Sequence, residues 1–230
     1  KVRFDAVVRA PHPYRRWVVT GASAVLAAAV ALLIGAGPLI IALTFASAVA
    51  IDRLKFALGR LGVAAFFAQC VAAAIPTAVA TAVVVAAREG VPIATAASPS
   101  LIVAAGIVLL LSGLSVVGAA EDALQGYYVT AGARAFEVVV LTFGIVIGVT
   151  TVLSIGNRIG LPLAVSSRTY LDQRLVTQVT CAALIAAAFA ISAYARGRAV
   201  AMSAVLGVLG WVVATTLETN FGFGTAVSAT

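Results

Sequence analysis

The sequence predicts an all-α fold, a polytopic membrane bundle with about seven transmembrane helices. Of its 230 residues 63% are hydrophobic and only 10% are charged, whereas a soluble domain carries about a quarter charged residues. The uncharged runs are continuous rather than alternating, which favours helices over the strands of a barrel. They reach or approach the roughly 20 residues that a helix needs to cross a bilayer. These runs cover residues 17–51, 61–87, 90–120, 138–157, 175–195 and 199–217.

A basic segment, residues 1–16, precedes the first run and is expected to be cytoplasmic. The run over residues 17–51 would measure roughly 52 Å as one helix at 1.5 Å per residue, which is too long for one crossing. The GAGP sequence at 35–38 divides it, because Gly and Pro interrupt helices. We therefore predict two helices, about 17–34 and 38–52, the second short enough to be tilted or partly re-entrant.

Three more helices complete a first membrane half of five helices, residues 17–157. The basic sequence DRLKFALGR at 52–60 is expected to be a cytoplasmic connection. Pro76 falls inside the third helix, where it removes one backbone hydrogen bond and is predicted to cause a kink. The third, fourth and fifth helices are predicted at about 62–87, 101–119 and 135–157.

A polar connection, residues 158–174, is predicted to link this half to the start of a second, truncated half over residues 175–230. Helices at about 175–195 and 198–217 open that second half. With a cytoplasmic N-terminus and seven crossings, eleven of the fifteen Lys and Arg residues lie inside and four outside, as the positive-inside rule favours. We therefore expect a multi-pass plasma-membrane protein, with the lipid bilayer as its surroundings. Since the first residue is Lys1, we expect a piece of a longer protein.

Other function classes find little support in the sequence. The net charge of +7 does not indicate nucleic-acid binding, because the basic residues cluster at the ends of apolar runs and are not interleaved with aromatic ones. Cys70 and Cys181 lie in separate apolar runs, which favours packing over a disulfide or metal pair. The single His12 is remote, and neither HExxH nor GxSxG occurs. No enzyme activity, metal site or cofactor is predicted.

Polar side chains collect in one stretch, residues 111–138. On a helix, Glu121 would share a face with Gln125 and Tyr128. Carboxylates at membrane depth are costly, so they are commonly paired, exposed to water or functional. Acidic groups suit the ammonium of a small zwitterion or a coupling proton, and a guanidinium suits its carboxylate. The candidate substrate-binding or proton-coupling residues are Glu121, Asp122, Gln125, Tyr128, Arg134 and Glu137.

Glycines accompany this stretch and the helix after it. Near the polar side chains they would let the backbone approach a ligand closely, and a GxxxG pair in the fifth helix is typical of close helix packing. The candidates for backbone approach and packing are Gly113, Gly126, Gly132, Gly144 and Gly148.

These residues leave two classes of function open. In a secondary transporter they would bind substrate or protons. In a membrane scaffold or accessory subunit they would only fix helix packing, with Arg134 and Glu137 as an ordinary surface ion pair.

The segment LLSGLSVVGAAEDALQGYYVTAGARAFEVVVLTFGIVIGV at 110–148 resembles the most recognisable part of the threonine/serine exporter family. In that family a helix ending in small residues leads to an Asp–x₃–Gly step, a Gly and an Arg, and then a glycine-bearing helix. Ser112-Gly113 stands where the family often has Pro-Gly, and residues 181–213 resemble the opening of its second half. The matching positions are Asp122, Gly126, Gly132, Arg134, Gly144 and Gly148.

The resemblance implies ten membrane helices in two inverted halves of five, of which this chain holds the first half and two helices of the second. It also implies export of L-threonine and L-serine driven by the proton motive force. The implied partners are a small amino acid, protons and the remaining helices, and a homo-oligomer is left open. Related two-subunit members are associated with small dicarboxylates, which is the alternative substrate class.

Overall fold

The computed structural model describes residues 14–89, 99–111, 113–160 and 175–221. Every regular element in these ranges is an α-helix. Five of the helices are long and apolar enough to cross a membrane, and the bent pair Pro99–Leu110 and Gly113–Leu124 would add a sixth span if it is one crossing. The prediction of a polytopic helical bundle is confirmed. The described residues hold five or six candidate spans where about seven crossings were predicted, and the helix Pro38–Arg60 is not among them. The helices are α1 (Arg16–Leu33), α2 (Pro38–Arg60), α3 (Ala65–Arg88), α4 (Pro99–Leu110), α5 (Gly113–Leu124), α6 (Tyr128–Arg158), α7 (Leu175–Ser192) and α8 (Gly197–Phe221).

Several predictions fall on parts of the chain outside the described residues. They concern most of the basic segment with His12 (residues 1–13), most of the connection between the halves (161–174) and the last residues, 222–230. Position 112, where the family often has Pro, is also outside the described residues.

The turn between α1 and α2 falls at the predicted GAGP sequence. Gly35 has a φ of +76°, a conformation that glycine adopts without steric cost. Pro38 opens α2, where its missing N–H leaves no helix hydrogen bond unmade.

The predicted end of the second helix near residue 52 is wrong. α2 continues to Arg60 and has 23 residues, about 35 Å at 1.5 Å per residue, so it is not short. The segment DRLKFALGR is the last part of this helix and not a connection. Asp52 and Lys55 are tolerated there because they meet polar side chains of α1 and α3.

The predicted fourth helix is two helices rather than one. α4 ends at Leu110, α5 begins at Gly113, and the two are bent by 42°. α6 begins at Tyr128, seven residues earlier than predicted. Most of the polar stretch is therefore helical, and only a short turn around Gly126 separates α5 from α6.

The largest buried apolar cluster lies where α1, α2, α3, α4 and α7 meet, with Leu26, Ile40, Val83, Ile102 and Ala188 among its members. By contrast α5 contributes no buried residue, and none of the described side chains of α8 is buried. These two helices therefore present most of their apolar surface outwards.

α3 runs as one helix through Pro76, and the predicted kink stays a prediction. The Pro76 ring is fully buried against Gly106 of α4. A Cβ atom at Gly106 would lie 2.5 Å from the Pro76 Cβ. Glycine at position 106 thus leaves room for the proline ring.

The GxxxG pair of α6 lies against the backbone of α3. A Cβ atom at Gly144 would lie 3.1 Å from the Phe66 carbonyl oxygen, and one at Gly148 would collide with the Cys70 carbonyl oxygen. Close approach of two helix backbones is the arrangement that such small-residue pairs permit.

We expect Gly148→Ala to lower the free energy of unfolding by about 1–3 kcal/mol, because the added methyl group forces α3 and α6 apart. Gly132→Ala is the matched control on the same helix, since nothing lies within 4 Å of its Cβ position. The control should be neutral or stabilising, because Ala favours the helix by up to about 1 kcal/mol over Gly. Thermal unfolding in detergent measures both, and equal shifts would contradict the packing role.

Candidate functional site

The polar stretch forms a helical hairpin in which α5 packs beside the first turns of α6. The chain reverses at Gly126, whose φ is +86°. The Tyr127 N–H donates to the Asp122 carbonyl oxygen at 2.8 Å and the Gly126 N–H to that of Ala123 at 3.1 Å. A left-handed glycine with such hydrogen bonds is a common helix C-terminus.

An ion pair joins the two helices of this hairpin. Arg134 Nε lies 3.2 Å from Asp122 Oδ2, and the side chains are 47% and 19% exposed respectively. Asp122 Oδ2 makes no well-aligned hydrogen bond, so the contact is electrostatic. Gly118 leaves room for it, because a Cβ atom there would collide with Arg134 Nη1. Two of the predicted candidates thus neutralise each other.

The other predicted residues of the hairpin are less closely connected. Gln125 Nε2 donates to Glu121 Oε1 at 3.3 Å, and both side chains are exposed. Tyr128 and Glu137 are exposed as well, and neither pairs with Arg134. The structure therefore gives two separate pairs rather than one constellation of six residues.

The glycines near the hairpin differ in their surroundings. Among the described residues nothing lies within 4 Å of a Cβ atom built at Gly126 or Gly132, whereas one at Gly113 would lie 3.9 Å from the Phe189 ring of α7. Gly126 and Gly132 thus border open space, where a ligand or another helix could approach.

A second polar region, which the sequence analysis missed, lies between α1, α2 and the end of α4. It is an open cavity of about 300 Å³, at the lower end of the range typical of small-molecule pockets. Its lining combines two cations, an acid and a hydroxyl with apolar walls: Arg16, Ser23, Asp52, Lys55, Ile51, Phe56, Leu109 and Leu110.

The carboxylate of this cavity is fixed by a hydrogen bond from α1. The Thr20 hydroxyl donates to Asp52 Oδ2 at 2.6 Å, and Thr20 is only 2% exposed. The bond holds one carboxylate oxygen and leaves the other available. Among the described residues Asp52 makes no salt bridge, although Lys55 is near enough to interact with its charge electrostatically.

Lys55 begins a chain of hydrogen bonds that reaches the broken helix. Its Nζ donates to Gln69 Oε1 at 3.1 Å, and Gln69 Nε2 donates to the Leu110 carbonyl oxygen at 2.6 Å. The last carbonyls of a helix lack partners within the helix. Gln69, which is 2% exposed, therefore satisfies the end of α4 while it positions the lysine.

Lys55 and Gln69 also line a second cavity, of about 260 Å³, whose wall includes Leu141 of α6. Lys55 therefore borders both cavities, and Gln69 borders the second of them.

The cavity between α1 and α2 suits a small zwitterion with a hydroxyl group. Asp52 can accept hydrogen bonds from an ammonium group, and Lys55 with Arg16 can bind a carboxylate. Ser23 is buried, and its hydroxyl donates to the Val19 carbonyl oxygen at 3.1 Å, which leaves its oxygen free to accept from a ligand.

Two signals in the sequence could have indicated this site. Gln69 is a lone amide in an otherwise apolar helix, and buried amides require partners. Asp52 and Lys55 are three residues apart, so they share a face if the helix continues.

The helices described above are apolar and of membrane length, and they hold paired polar groups between them. These features define a multi-pass helical membrane protein. The chain belongs to the threonine/serine exporter family, whose model matches residues 1–156.

Two relatives carry the same family name. The chain is 35% identical to a probable threonine/serine exporter of Mycobacterium tuberculosis, over 97% of this chain and 42% of the relative. It is 32% identical to a threonine/serine exporter of Corynebacterium glutamicum, over 90% of this chain and 42% of the relative. The chain therefore spans about two fifths of the length of these relatives. No solved structure matches it significantly.

Proposed function

We propose that this chain forms part of a secondary transporter that exports L-threonine and L-serine across the plasma membrane and is driven by the proton motive force. The names of both relatives support amino-acid export. The observation that carries the proposal is the cavity between α1 and α2, where Asp52, Lys55 and Ser23 face one small volume.

In the proposed binding mode, Asp52 accepts the substrate ammonium and Lys55 binds the substrate carboxylate. The Ser23 hydroxyl then recognises the substrate hydroxyl. A substrate hydroxyl can donate to the Ser23 oxygen, and an analogue without the hydroxyl loses this hydrogen bond. Serine and threonine should therefore bind better than alanine and valine.

The hairpin supplies the proposed proton-coupling element. Protonation of Asp122 would cancel the charge that holds Arg134, so the ion pair would open and α5 could move relative to α6. The path of the proton or the substrate beside this ion pair keeps four further candidate residues: Glu121, Gln125, Tyr128 and Glu137.

The organisation proposed for the whole protein is a first half of five membrane crossings over residues 17–157, with α4 and α5 together as one bent crossing, and a second half that begins at about residue 175. In this plan the N-terminus is cytoplasmic, and the remaining helices of the second half complete the substrate path. Inverted halves with a site at their interface are a common plan in secondary transporters.

The alternative substrate class is the small dicarboxylates. Arg16 and Lys55 border the same cavity and would match two carboxylates, but Asp52 would repel such a ligand. The acid therefore favours an amino acid.

The proposal is tested by efflux of threonine from cells that express the full-length protein and are loaded with a threonine dipeptide. We expect efflux above that of cells with an empty vector, and we expect a protonophore to reduce it. Efflux at the empty-vector level, with the protein confirmed in the membrane, would overturn the proposal. The same cells loaded with a labelled dicarboxylate would then decide between the alternative substrate and a membrane scaffold.

A further inference from the structure

We propose that a cluster of arginine and aromatic side chains at one end of α1 and α2 binds the headgroup of an anionic phospholipid. The cluster consists of Arg16 and Trp17 at the start of α1 and of Arg53, Phe56 and Arg60 in the last turns of α2. Arg16 and Phe56 also line the cavity assigned to the substrate, whereas Trp17, Arg53 and Arg60 do not, so the test below changes only Arg53 and Arg60.

Two aromatic rings hold the three guanidinium groups together. Arg16 Cζ lies 3.2 Å from the centre of the Phe56 ring, and Arg60 Cζ lies 5.5 Å from the same centre. Arg53 Cζ lies 3.9 Å from the centre of the Trp17 ring. Cation–π contacts orient a guanidinium group but leave its positive charge uncancelled.

No carboxylate compensates this charge within the described ranges. The ion pair found there joins Asp122 to Arg134, and the nearby Asp52 is bonded to Thr20. Arg53 Nη2 is shielded from solvent and has no hydrogen-bond partner in the part of the chain that the structure describes. A buried donor without an acceptor is costly, so a movement of the Arg53 side chain that brings this nitrogen to an acceptor oxygen is favourable.

A phosphodiester supplies such oxygens. Guanidinium groups match the oxygens of phosphate bidentately, and Arg is more weakly hydrated than Lys, so it gives up water more readily to bind them. Three guanidinium groups around one headgroup would therefore bind it through both charge and hydrogen-bond geometry.

The position of the cluster indicates a lipid rather than a free anion. Trp17 is 74% exposed at the beginning of a membrane-length apolar helix, and Trp is enriched where such helices meet the membrane–water interface. Leu61, just after α2, is also exposed, so apolar surface for an acyl chain lies next to the charged groups. Basic pockets between membrane helices bind anionic headgroups.

The test measures the affinity of purified full-length protein, in a neutral detergent, for phosphatidylglycerol, phosphatidylcholine and inorganic phosphate. We expect phosphatidylglycerol to bind and to raise the unfolding temperature, with little effect of phosphatidylcholine or phosphate. Arg53→Gln with Arg60→Gln should weaken phosphatidylglycerol binding about fivefold for each charge removed, hence roughly twenty-five-fold.

The matched control is Arg196→Gln with Arg198→Gln, which removes the same charge at the start of α8 and should leave binding unchanged. Equal weakening in the two double variants would mean diffuse surface charge, and phosphate binding as tightly as the lipid would mean a free-anion site. Either result overturns the proposal. Arg60→Gln alone alters only an exposed side chain. It should weaken phosphatidylglycerol binding about fivefold, and it can be measured even if the double variant does not fold.

Discussion

Asp52→Asn is expected to reduce threonine efflux roughly thirtyfold at substrate concentrations below KM, while the protein stays in the membrane at its normal amount. The amide keeps an oxygen that can accept the Thr20 hydrogen bond, which measures 2.6 Å, so the fold should persist. It loses the negative charge that the proposal assigns to the substrate ammonium. A hydrogen bond to a charged group contributes about 2 kcal/mol, so substrate affinity should fall roughly thirtyfold.

Glu89→Gln makes the same chemical change at an exposed position just after α3 and should leave efflux unaltered. Unchanged efflux in Asp52→Asn would exclude the carboxylate as an essential substrate contact. A loss of efflux in both variants would point to a general effect of charge.

Gln69→Leu is expected to lower the free energy of unfolding by about 1–3 kcal/mol, because it leaves the buried Leu110 carbonyl oxygen without its donor. The side chains are similar in size, so packing changes little. Lys55, which is partly exposed, can bond to water when it loses the Gln69 oxygen. The expected loss therefore comes mainly from the end of α4.

Gln69→Glu separates the two hydrogen bonds, since a carboxylate accepts from Lys55 but cannot donate to Leu110. The Gln69→Glu variant should also be destabilised if the hydrogen bond to the Leu110 carbonyl contributes more to stability than the hydrogen bond to Lys55. Gln125→Leu is the matched control at an exposed site, where substitutions change stability by about 0.5 kcal/mol or less. Unfolding in detergent measures all three variants. If Gln69→Leu is as stable as the wild type, Gln69 does not hold the end of α4.

Much of the fold could be predicted from the sequence because lipid imposes simple rules. Long uncharged runs must be helices, and GAGP marked a helix boundary correctly. The end of α2 was missed because charges after an apolar run are typical of a connection. A helix continues through such charges when other helices supply polar partners, and Thr20 and Gln69 are far from Asp52 and Lys55 in sequence.

The candidate site was only partly predictable for a related reason. Spacing placed Arg134 near Glu137 on one helix, whereas its partner in the structure is Asp122 on the helix before it. The direction in which the hairpin folds decides that pairing. The cavity between α1 and α2 depends in addition on the break between Leu110 and Gly113, which exposes a carbonyl oxygen for Gln69.

The central claim is that the cavity between α1 and α2 binds the substrate and that the hairpin does not. The most direct test is binding of L-threonine to the purified full-length protein, measured as an increase in unfolding temperature. The measurement compares the wild type with Asp52→Asn and Asp122→Asn. We expect threonine to stabilise the wild type and Asp122→Asn but not Asp52→Asn. Stabilisation of Asp52→Asn together with its loss in Asp122→Asn would contradict the claim and place the substrate at the hairpin.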